Sequence, residues 1–180
     1  TDSYEENVRK VKEMAEIAHS YGATIEGELG HVGDNEDMTD DETSSKDPSM
    51  YYTDPKMALD FVQKTGVDAL AVAVGNAHGA YKFPPKLDFA RIREIAATVD
   101  VPLVLHGGSG LTDLDFKTAI REGISKVNIF TDINVAAAKA VSERYTDVGK
   151  GLTDLIPSAV EAVRRESEKK MRLFDSVGKG

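Results

Sequence analysis

Two histidines follow two apolar segments of the sequence at the same relative position. His78 lies in the motif NAHG at 76–79, shortly after the apolar run 68–74, and His106 directly follows the run 102–105. If these runs are adjacent parallel strands, both imidazoles project into one cleft, and neutral imidazole is a good ligand for zinc. Either histidine alone is better explained as a hydrogen-bonded residue at a strand end. As a pair, they predict a metal site.

A catalytic zinc commonly has three protein ligands and one open position, and the sequence offers two good histidines. Glu28, at the end of another apolar segment, is a candidate further ligand, although a third ligand from chain that precedes residue 1 explains the shortage better. His19 falls on a predicted helix and is interpreted as a surface residue. His31 begins the loop after Glu28 and is interpreted as a loop residue rather than a ligand.

Three small residues follow His106 directly, in the order Gly107-Gly108-Ser109. Backbone N–H groups just after a parallel strand point toward the active-site mouth, and glycine lets a phosphate approach them with no Cβ in the way. For a glycine pair on its own, a tight turn is the better explanation. Next to His106, these residues predict a phosphate-binding turn.

A long acidic segment lies between His31 and Tyr52 and shows no helical or strand periodicity. Most of its charges are expected to be solvated on the surface. A loop of this length after a barrel strand is more often a lid than an idle insertion. Glu36, close to Gly33, is the candidate general base that such a lid would deliver to a substrate.

Helices and strands alternate along the chain. The predicted helices cover 5–20, 55–65, 87–99, 112–123 and 133–145, with a last helix that opens at Pro157, and the predicted strands cover 23–29, 68–74, 102–105 and 126–130. This alternation predicts βαβ units, a parallel sheet and the α/β class.

Two α/β architectures are compatible with this pattern. A doubly wound sheet concentrates its chemistry at one switch point, whereas in a TIM (β/α)₈ barrel every strand contributes from its carboxyl end. Every predicted strand here ends in polar residues, so the barrel is favoured. A barrel needs eight strands and typically ~250 residues. We therefore expect residues 1–180 to form one domain, the C-terminal half of a barrel whose N-terminal strands are absent from this chain.

Composition excludes several classes of function. The formal net charge is -9 and no basic cluster is present, which argues against nucleic acid and anionic membranes as partners. The chain has no cysteine, so disulfides and thiolate metal sites are excluded. It has no secretory signal and no apolar run long enough to cross a bilayer, so a cytoplasmic protein is expected.

Four motifs, in this order and spacing, resemble the class II, metal-dependent ketose-bisphosphate aldolases. They are IEGELG at 25–30, GVDALAVAVGNAHGAYK at 66–82, PLVLHGGSGL at 102–111 and KVNIFTDI at 126–133. The resemblance extends over the whole chain. It implies a TIM barrel that reversibly cleaves a ketose 1,6-bisphosphate to dihydroxyacetone phosphate and an aldehyde such as glyceraldehyde 3-phosphate, with zinc as the electron sink.

The resemblance also implies roles for individual residues. By motif, His78 and His106 correspond to two of the three zinc-ligating histidines, and Glu28 to an alternative or second-position metal ligand. Glu36 corresponds to the lid carboxylate that moves the proton at the carbon next to the ketone, and Asn128 to a contact with the substrate oxygens. The groups around the 1-phosphate and its monovalent cation would be Gly79, Lys82, Gly107, Gly108, Ser109 and Thr131. A homo-oligomer, dimer or tetramer, is expected.

Some features depart from the family pattern. A further zinc-ligating histidine, preceded by an aspartate that acts on the C4 hydroxyl, has no counterpart in these residues. Phe130 stands where many fructose-bisphosphate aldolases have aspartate, and Asp34 where a second loop glycine is common. The sugar, of fructose or tagatose type, therefore stays open. Two alternatives also stay open: an aldolase of this family for another sugar phosphate, and a non-catalytic half-barrel that binds phosphorylated sugars.

Overall fold

The computed structural model describes residues 2–30, 33–34, 52–78, 86–108, 110–145 and 151–179, with the backbone alone for 33–34 and 77–78. In this part of the chain, helices and strands alternate in the order α1 (Tyr4–Ser20), β1 (Glu26–Leu29), β2 (Gly33–Asp34), α2 (Pro55–Thr65), β3 (Ala69–Val72), β4 (Ala77–His78), α3 (Phe89–Thr98), β5 (Leu103–Leu105), α4 (Asp113–Glu122), β6 (Ile124–Val127), α5 (Thr131–Tyr145) and α6 (Leu152–Leu173).

Four strands form one parallel sheet in the order β1-β3-β5-β6. Glu28 of β1 lies beside Ala71 of β3, which lies beside Val104 of β5. Strands β2 and β4 form a second, two-stranded parallel sheet, in which Asp34 lies beside His78. The predicted α/β class with a parallel sheet is confirmed.

The main core lies between one face of the four-stranded sheet and helices α2, α3 and α4. The alternation of strand side chains explains which residues enter it, because every second residue of a strand faces the helices. The largest fully buried apolar side chains of this core are Phe61, Phe116, Leu70, Ile92, Ile95, Leu103, Leu105, Val72 and Val74. Burial of each large apolar side chain stabilises folding by roughly 1.5–3 kcal/mol.

Local sequence signals set the ends of the helices in this layer. Asp54 accepts hydrogen bonds from the backbone N–H groups of Lys56 and Met57, and Pro55 occupies the first turn of α2. Gly66 ends α2 with φ 70°, a left-handed conformation that glycine adopts without strain. Helix α4 begins with a reciprocal cap between Thr112 and Asp115.

The predicted bounds of β6 and α5 are wrong in detail. We predicted a strand over 126–130, and β6 runs Ile124–Val127. Leu103 and Val104 of β5 lie beside Ile124 and Lys126, so the pairing skips Ser125 and is irregular near the start of β6. Asn128 still donates its backbone N–H to Leu105, at 3.0 Å. Helix α5 then starts at Thr131, two residues before the predicted start.

The predicted start of α6 at Pro157 is also wrong. The helix begins at Leu152, because Asp154 accepts the backbone N–H of Gly151 at 3.0 Å and so caps the helix earlier. Pro157 lies inside the helix, where it removes one backbone N–H donor. No helix in the described part of the chain, α6 included, combines the length and apolarity needed to cross a membrane.

Candidate functional site

The face of the sheet opposite the helices carries charged side chains. In β1, Gly27 and Leu29 are buried, and a Cβ on Gly27 would lie 2.9 Å from the ring of Phe61 in α2. Glu26 and Glu28 alternate with them and therefore lie on the opposite face. This face is where residues from the carboxyl ends of the strands can meet.

His106 lies between these two carboxylates. Its Nε2 is 2.8 Å from Oε1 of Glu26, and its Nδ1 is 3.4 Å from Oε2 of Glu28. The His106 side chain is only 18% exposed. Although 80 positions separate Glu26 from His106 along the chain, the β1-β3-β5 order brings both residues to one face.

Lys126 of β6 completes this group from the other edge of the sheet. Its Nζ is 2.7 Å from Oε2 of Glu26. Burial opposes ionisation of Glu26, but the hydrogen bonds with Lys126 and His106 outweigh it and hold the pKa of Glu26 below its ordinary value. Because an ionised carboxylate only accepts hydrogen bonds, Nε2 of His106 is the donor. In a neutral imidazole, Nδ1 then carries the lone pair that can bind a metal.

Asn76 ties the loop after β3 to the end of β5. Its side-chain Nδ2 donates to the carbonyl of His106 at 2.9 Å, and its Oδ1 accepts the backbone N–H of Val74 at 2.8 Å. The residue is buried. Since Asn76 lies two positions before His78, this contact fixes one histidine-bearing segment relative to the other.

Thr53 joins the ends of β1 and β3 in a similar way. Its hydroxyl donates to the carbonyl of Leu29 at 2.5 Å and accepts the backbone N–H of Ala73 at 2.9 Å. Sequence reasoning missed Thr53, since a single threonine before a helix carries no signal for such a contact. It also missed the Glu26–Lys126 pair, although the period of two places Glu26 on the face of Glu28.

The glycine turn after β5 packs tightly against the protein. Gly107 has φ 59°, which favours glycine. A Cβ on Gly108 would lie 3.1 Å from side-chain carbons of Phe116, Val127 and Ile129. The backbone here approaches the core more closely than a larger residue would allow.

The structure brings several predicted site residues to one end of the sheet. His106 and Glu28 lie together. After the carboxyl ends of β5 and β6 come Gly107, Gly108 and Asn128, and Thr131 begins α5. His78 is described only by its backbone, in β4. The predicted residues that lie outside the described part of the chain are Glu36, Gly79, Lys82, Ser109 and His31. His19 is exposed and its Nε2 is 2.9 Å from Asp68, as expected of a surface residue.

The donor types around His106 fit a zinc ion in part. An imidazole nitrogen and a carboxylate are both zinc ligands, and Nδ1 of His106 and Glu28 face each other. Within the described residues, no group of three or more His, Cys, Asp or Glu side chains is arranged to hold a metal. The described site thus offers part of a zinc ligand set, and His78 is the predicted addition.

The sequence matches one protein family over nearly its whole length. The profile of the family described as Fructose-bisphosphate aldolase class-II covers residues 1–179. The protein YdjI of Escherichia coli K12 is 43% identical over 176 residues, which are 98% of this chain and 60% of YdjI. The chain therefore spans about three fifths of the length of this curated relative.

Solved structures agree with the sequence match. The crystal structure of the YdjI aldolase from Escherichia coli K12 has a TM-score of 0.83 at 39% identity, over 99% of this chain and 59% of that one. A putative fructose-1,6-bisphosphate aldolase from Coccidioides immitis has a TM-score of 0.84 at 31% identity, over 99% of this chain and 61% of that one. The four-stranded parallel sheet is thus of the TIM-barrel type, and the chain belongs to the class II fructose-bisphosphate aldolase family.

Proposed function

We propose that the protein is a zinc-dependent class II aldolase that reversibly cleaves a ketose 1,6-bisphosphate of fructose or tagatose type. The products are dihydroxyacetone phosphate and an aldehyde such as glyceraldehyde 3-phosphate. Family membership supports the reaction class. The observation that carries the proposal is the position of His106, hydrogen-bonded by Glu26 and facing Glu28 at the carboxyl end of a parallel sheet.

In this proposal, His106 and His78 hold the zinc, and Glu28 is an alternative or second-position ligand. A third histidine comes from the N-terminal half of the barrel. When bound, zinc supplies positive charge where negative charge develops during cleavage of the carbon–carbon bond. Glu26 holds the proton of His106 on Nε2 and directs Nδ1 toward Glu28, which orients the imidazole before any metal arrives.

The glycine turn binds the 1-phosphate in this proposal. The close approach of Gly108 to the core keeps the backbone N–H groups of the turn in place. Lys82 adds a positive charge, and Asn128 contacts the substrate oxygens. The remaining members of the phosphate and monovalent-cation site are Gly79, Gly107, Ser109 and Thr131. Glu36 moves the proton at the carbon next to the ketone.

The remaining strands of the barrel complete the site. In the described sheet, β1 and β6 each pair with one neighbour, so each has an outer edge to which a further strand can add. The match covers about three fifths of YdjI, so about two fifths of that protein have no counterpart in these residues. We further propose that the complete enzyme is a cytoplasmic homo-oligomer.

Replacement of His106 tests the proposed function. His106→Ala, in the intact polypeptide that contains these residues, should abolish both zinc binding and cleavage of fructose and tagatose bisphosphates, because too few ligands remain to hold a catalytic metal. His19→Ala is the matched control and should keep both properties, since His19 lies on the exposed surface. Full activity of a metal-free His106→Ala protein would refute the proposal. Binding of dihydroxyacetone phosphate by the wild-type protein without turnover would favour the non-catalytic sugar-phosphate binder.

A further inference from the structure

Lys170, near the end of α6, is a buried lysine to which the proposed mechanism assigns no role. Only 8% of the residue is exposed. Its Nζ lies 2.6 Å from Oδ2 of Asp132, and the same ammonium group lies 4.9 Å from the centroid of the Phe116 ring. Burial of a lysine is costly unless its charge is paired. Asp132 and the ring of Phe116 compensate that charge, and Oε1 of Glu166 lies 3.9 Å from the same Nζ.

Both partners of Lys170 adjoin the proposed phosphate site. Asp132 directly follows Thr131 in the first turn of α5. Phe116 lies behind the glycine turn, where its Cε1 would be 3.1 Å from a Cβ on Gly108. One side chain of the last helix therefore contacts residues adjoining both segments proposed to bind the 1-phosphate, the turn after β5 and the start of α5.

The charge of Asp132 explains why a lysine is needed there. The N-terminus of a helix attracts a phosphate through its N–H groups and the helix dipole, and a carboxylate in the same turn opposes that attraction. Lys170 cancels this charge and directs the carboxylate toward α6. An apolar residue at position 170 would fill the space, but it would neither neutralise the charge of Asp132 nor orient its carboxylate.

We propose that Lys170 is a positioning residue for the phosphate site. It acts through Asp132, whose carboxylate it neutralises and holds, so that the start of α5 remains favourable for a phosphate dianion. This inference rests on the proposed function, because it requires that the turn after β5 and the start of α5 bind phosphate.

The test measures the affinity of the intact polypeptide for dihydroxyacetone phosphate by calorimetry, together with its zinc content. We expect Lys170→Met to weaken binding about tenfold, because the Asp132 carboxylate in the first turn of α5 then loses its ammonium partner. Zinc content should not change. The control is Lys64→Met, which removes an exposed lysine of α2 that pairs with Asp60 and should leave the affinity unchanged.

The double variant Lys170→Met/Asp132→Asn distinguishes neutralisation of Asp132 by Lys170 from a purely packing role of the lysine side chain. It removes both charges and should restore most of the lost affinity, whereas a purely structural defect would persist. Should Lys170→Met not fold, Lys170→Gln keeps a long side chain that can donate to Asp132 while it removes the charge, and it should also weaken binding.

Wild-type affinity in Lys170→Met or Lys170→Gln, or a double variant as weak as the single one, would overturn the inference and leave the proposed function intact. Absence of dihydroxyacetone phosphate binding by the wild-type polypeptide would overturn both.

Discussion

Nε2 of His106 lies 2.8 Å from Oε1 of Glu26, a residue that shares β1 with the candidate metal ligand Glu28. Glu26 also contacts Lys126, because Nζ of Lys126 is 2.7 Å from Oε2 of Glu26. Glu26 of β1 therefore contacts both Lys126 of β6 and the imidazole of His106, which follows β5. Glu26 thus belongs to the site although it is not itself a proposed ligand.

Replacement of Glu26 should weaken metal binding without removing a ligand. In Glu26→Ala, His106 loses the acceptor that keeps its proton on Nε2 and fixes the orientation of its ring. Loss of such an outer partner typically costs 10–100-fold in metal affinity, and we expect roughly that loss here. Competition with a chromogenic chelator measures it.

The control for this prediction is Glu13→Ala, an exposed glutamate of α1 that contacts Arg9. It should bind zinc as the wild-type protein does. Equal zinc affinity of Glu26→Ala and the wild-type protein would show that His106 does not depend on Glu26.

Features set by neighbouring residues were predictable from the sequence. The cap of α4 by Thr112 and Asp115 and the end of α2 at Gly66 depend on residues within one helical turn. The parallel sheet followed from the alternation of apolar helices and strands. The early start of α6 was missed because Asp154, rather than Pro157, sets the first turn.

Contacts between distant segments were not predictable in the same way. Lys126 and Glu26 are separated by 100 positions, and a register shift precedes Lys126 in the β5–β6 pairing. The sequence identified His106 and Glu28 from their places at strand ends. It gave no sign that Lys126 reaches across the sheet, or that Thr53 ties β1 to β3, since such contacts depend on the curvature and order of the strands.

Gly108→Ala should damage the proposed phosphate site. The added methyl would lie 3.1 Å from three side-chain carbons, closer than the optimal separation of about 3.5–4.0 Å. Either the core shifts or the turn moves outward, and overpacking of this kind costs roughly 1–3 kcal/mol. We expect a lower melting temperature and about tenfold weaker binding of dihydroxyacetone phosphate, since a displacement of the turn misplaces its N–H groups.

Gly151→Ala is the matched control for this change. At position 151 the nearest atom to a new Cβ is Oδ2 of Asp154, at 3.9 Å, so the methyl group fits. The affinity of Gly151→Ala for dihydroxyacetone phosphate should equal that of the wild-type protein. If Gly108→Ala also binds with wild-type affinity, the turn after β5 is not the phosphate site.

Glu36→Ala should lower turnover strongly while zinc content and the affinity for dihydroxyacetone phosphate stay nearly unchanged. The reason is that Glu36 is proposed to move a proton rather than to hold a ligand. Exchange of the ketone-side proton with deuterated solvent is the direct measurement. Glu42→Ala, in the same acidic segment, is the control and should exchange normally. Unimpaired exchange in Glu36→Ala would show that Glu36 is not the base.

The acid stability of α6 should depend on Glu161. Hydrogen bonds from Arg164 and Arg165 lower the pKa of Glu161 to about 2, from an ordinary value of 4.5. A lowered pKa in the folded state means that the stabilisation is fully present above pH 4.5 and is lost as the pH falls toward 2. Glu161→Gln should therefore melt below the wild-type protein at pH 6, and the difference should shrink by pH 3.

The effect of Glu161 should be small, because all three side chains are exposed and salt screens them. Added salt at pH 6 should reduce the difference as acid does. Glu94→Gln, an exposed position in α3, is the control. A difference between Glu161→Gln and wild type that stays constant from pH 6 to pH 3 would contradict the assignment.

Residues 1–180 expressed alone should not catalyse aldol cleavage. In the described sheet, the outer edges of β1 and β6 carry backbone donors and acceptors without a neighbouring strand, and such edges pair with another segment or aggregate. The proposed ligands His78 and His106, even with Glu28, also lack the third histidine of the proposed site. We expect both the missing neighbouring strands and the missing third histidine to be supplied by the segment that makes up the other two fifths of relatives such as YdjI.

The experiment compares the 180 residues alone with the same residues co-expressed with that segment from YdjI, each assayed with fructose and tagatose bisphosphates and added zinc. We expect zinc-dependent turnover only in the combined sample, along with a rise in melting temperature as the edges of β1 and β6 gain partners. The combined sample carrying His106→Ala serves as the control, because pairing of the strands should survive while turnover is lost. Zinc-dependent turnover by the 180 residues alone would refute the half-barrel proposal, since four main strands and this ligand set would then be sufficient.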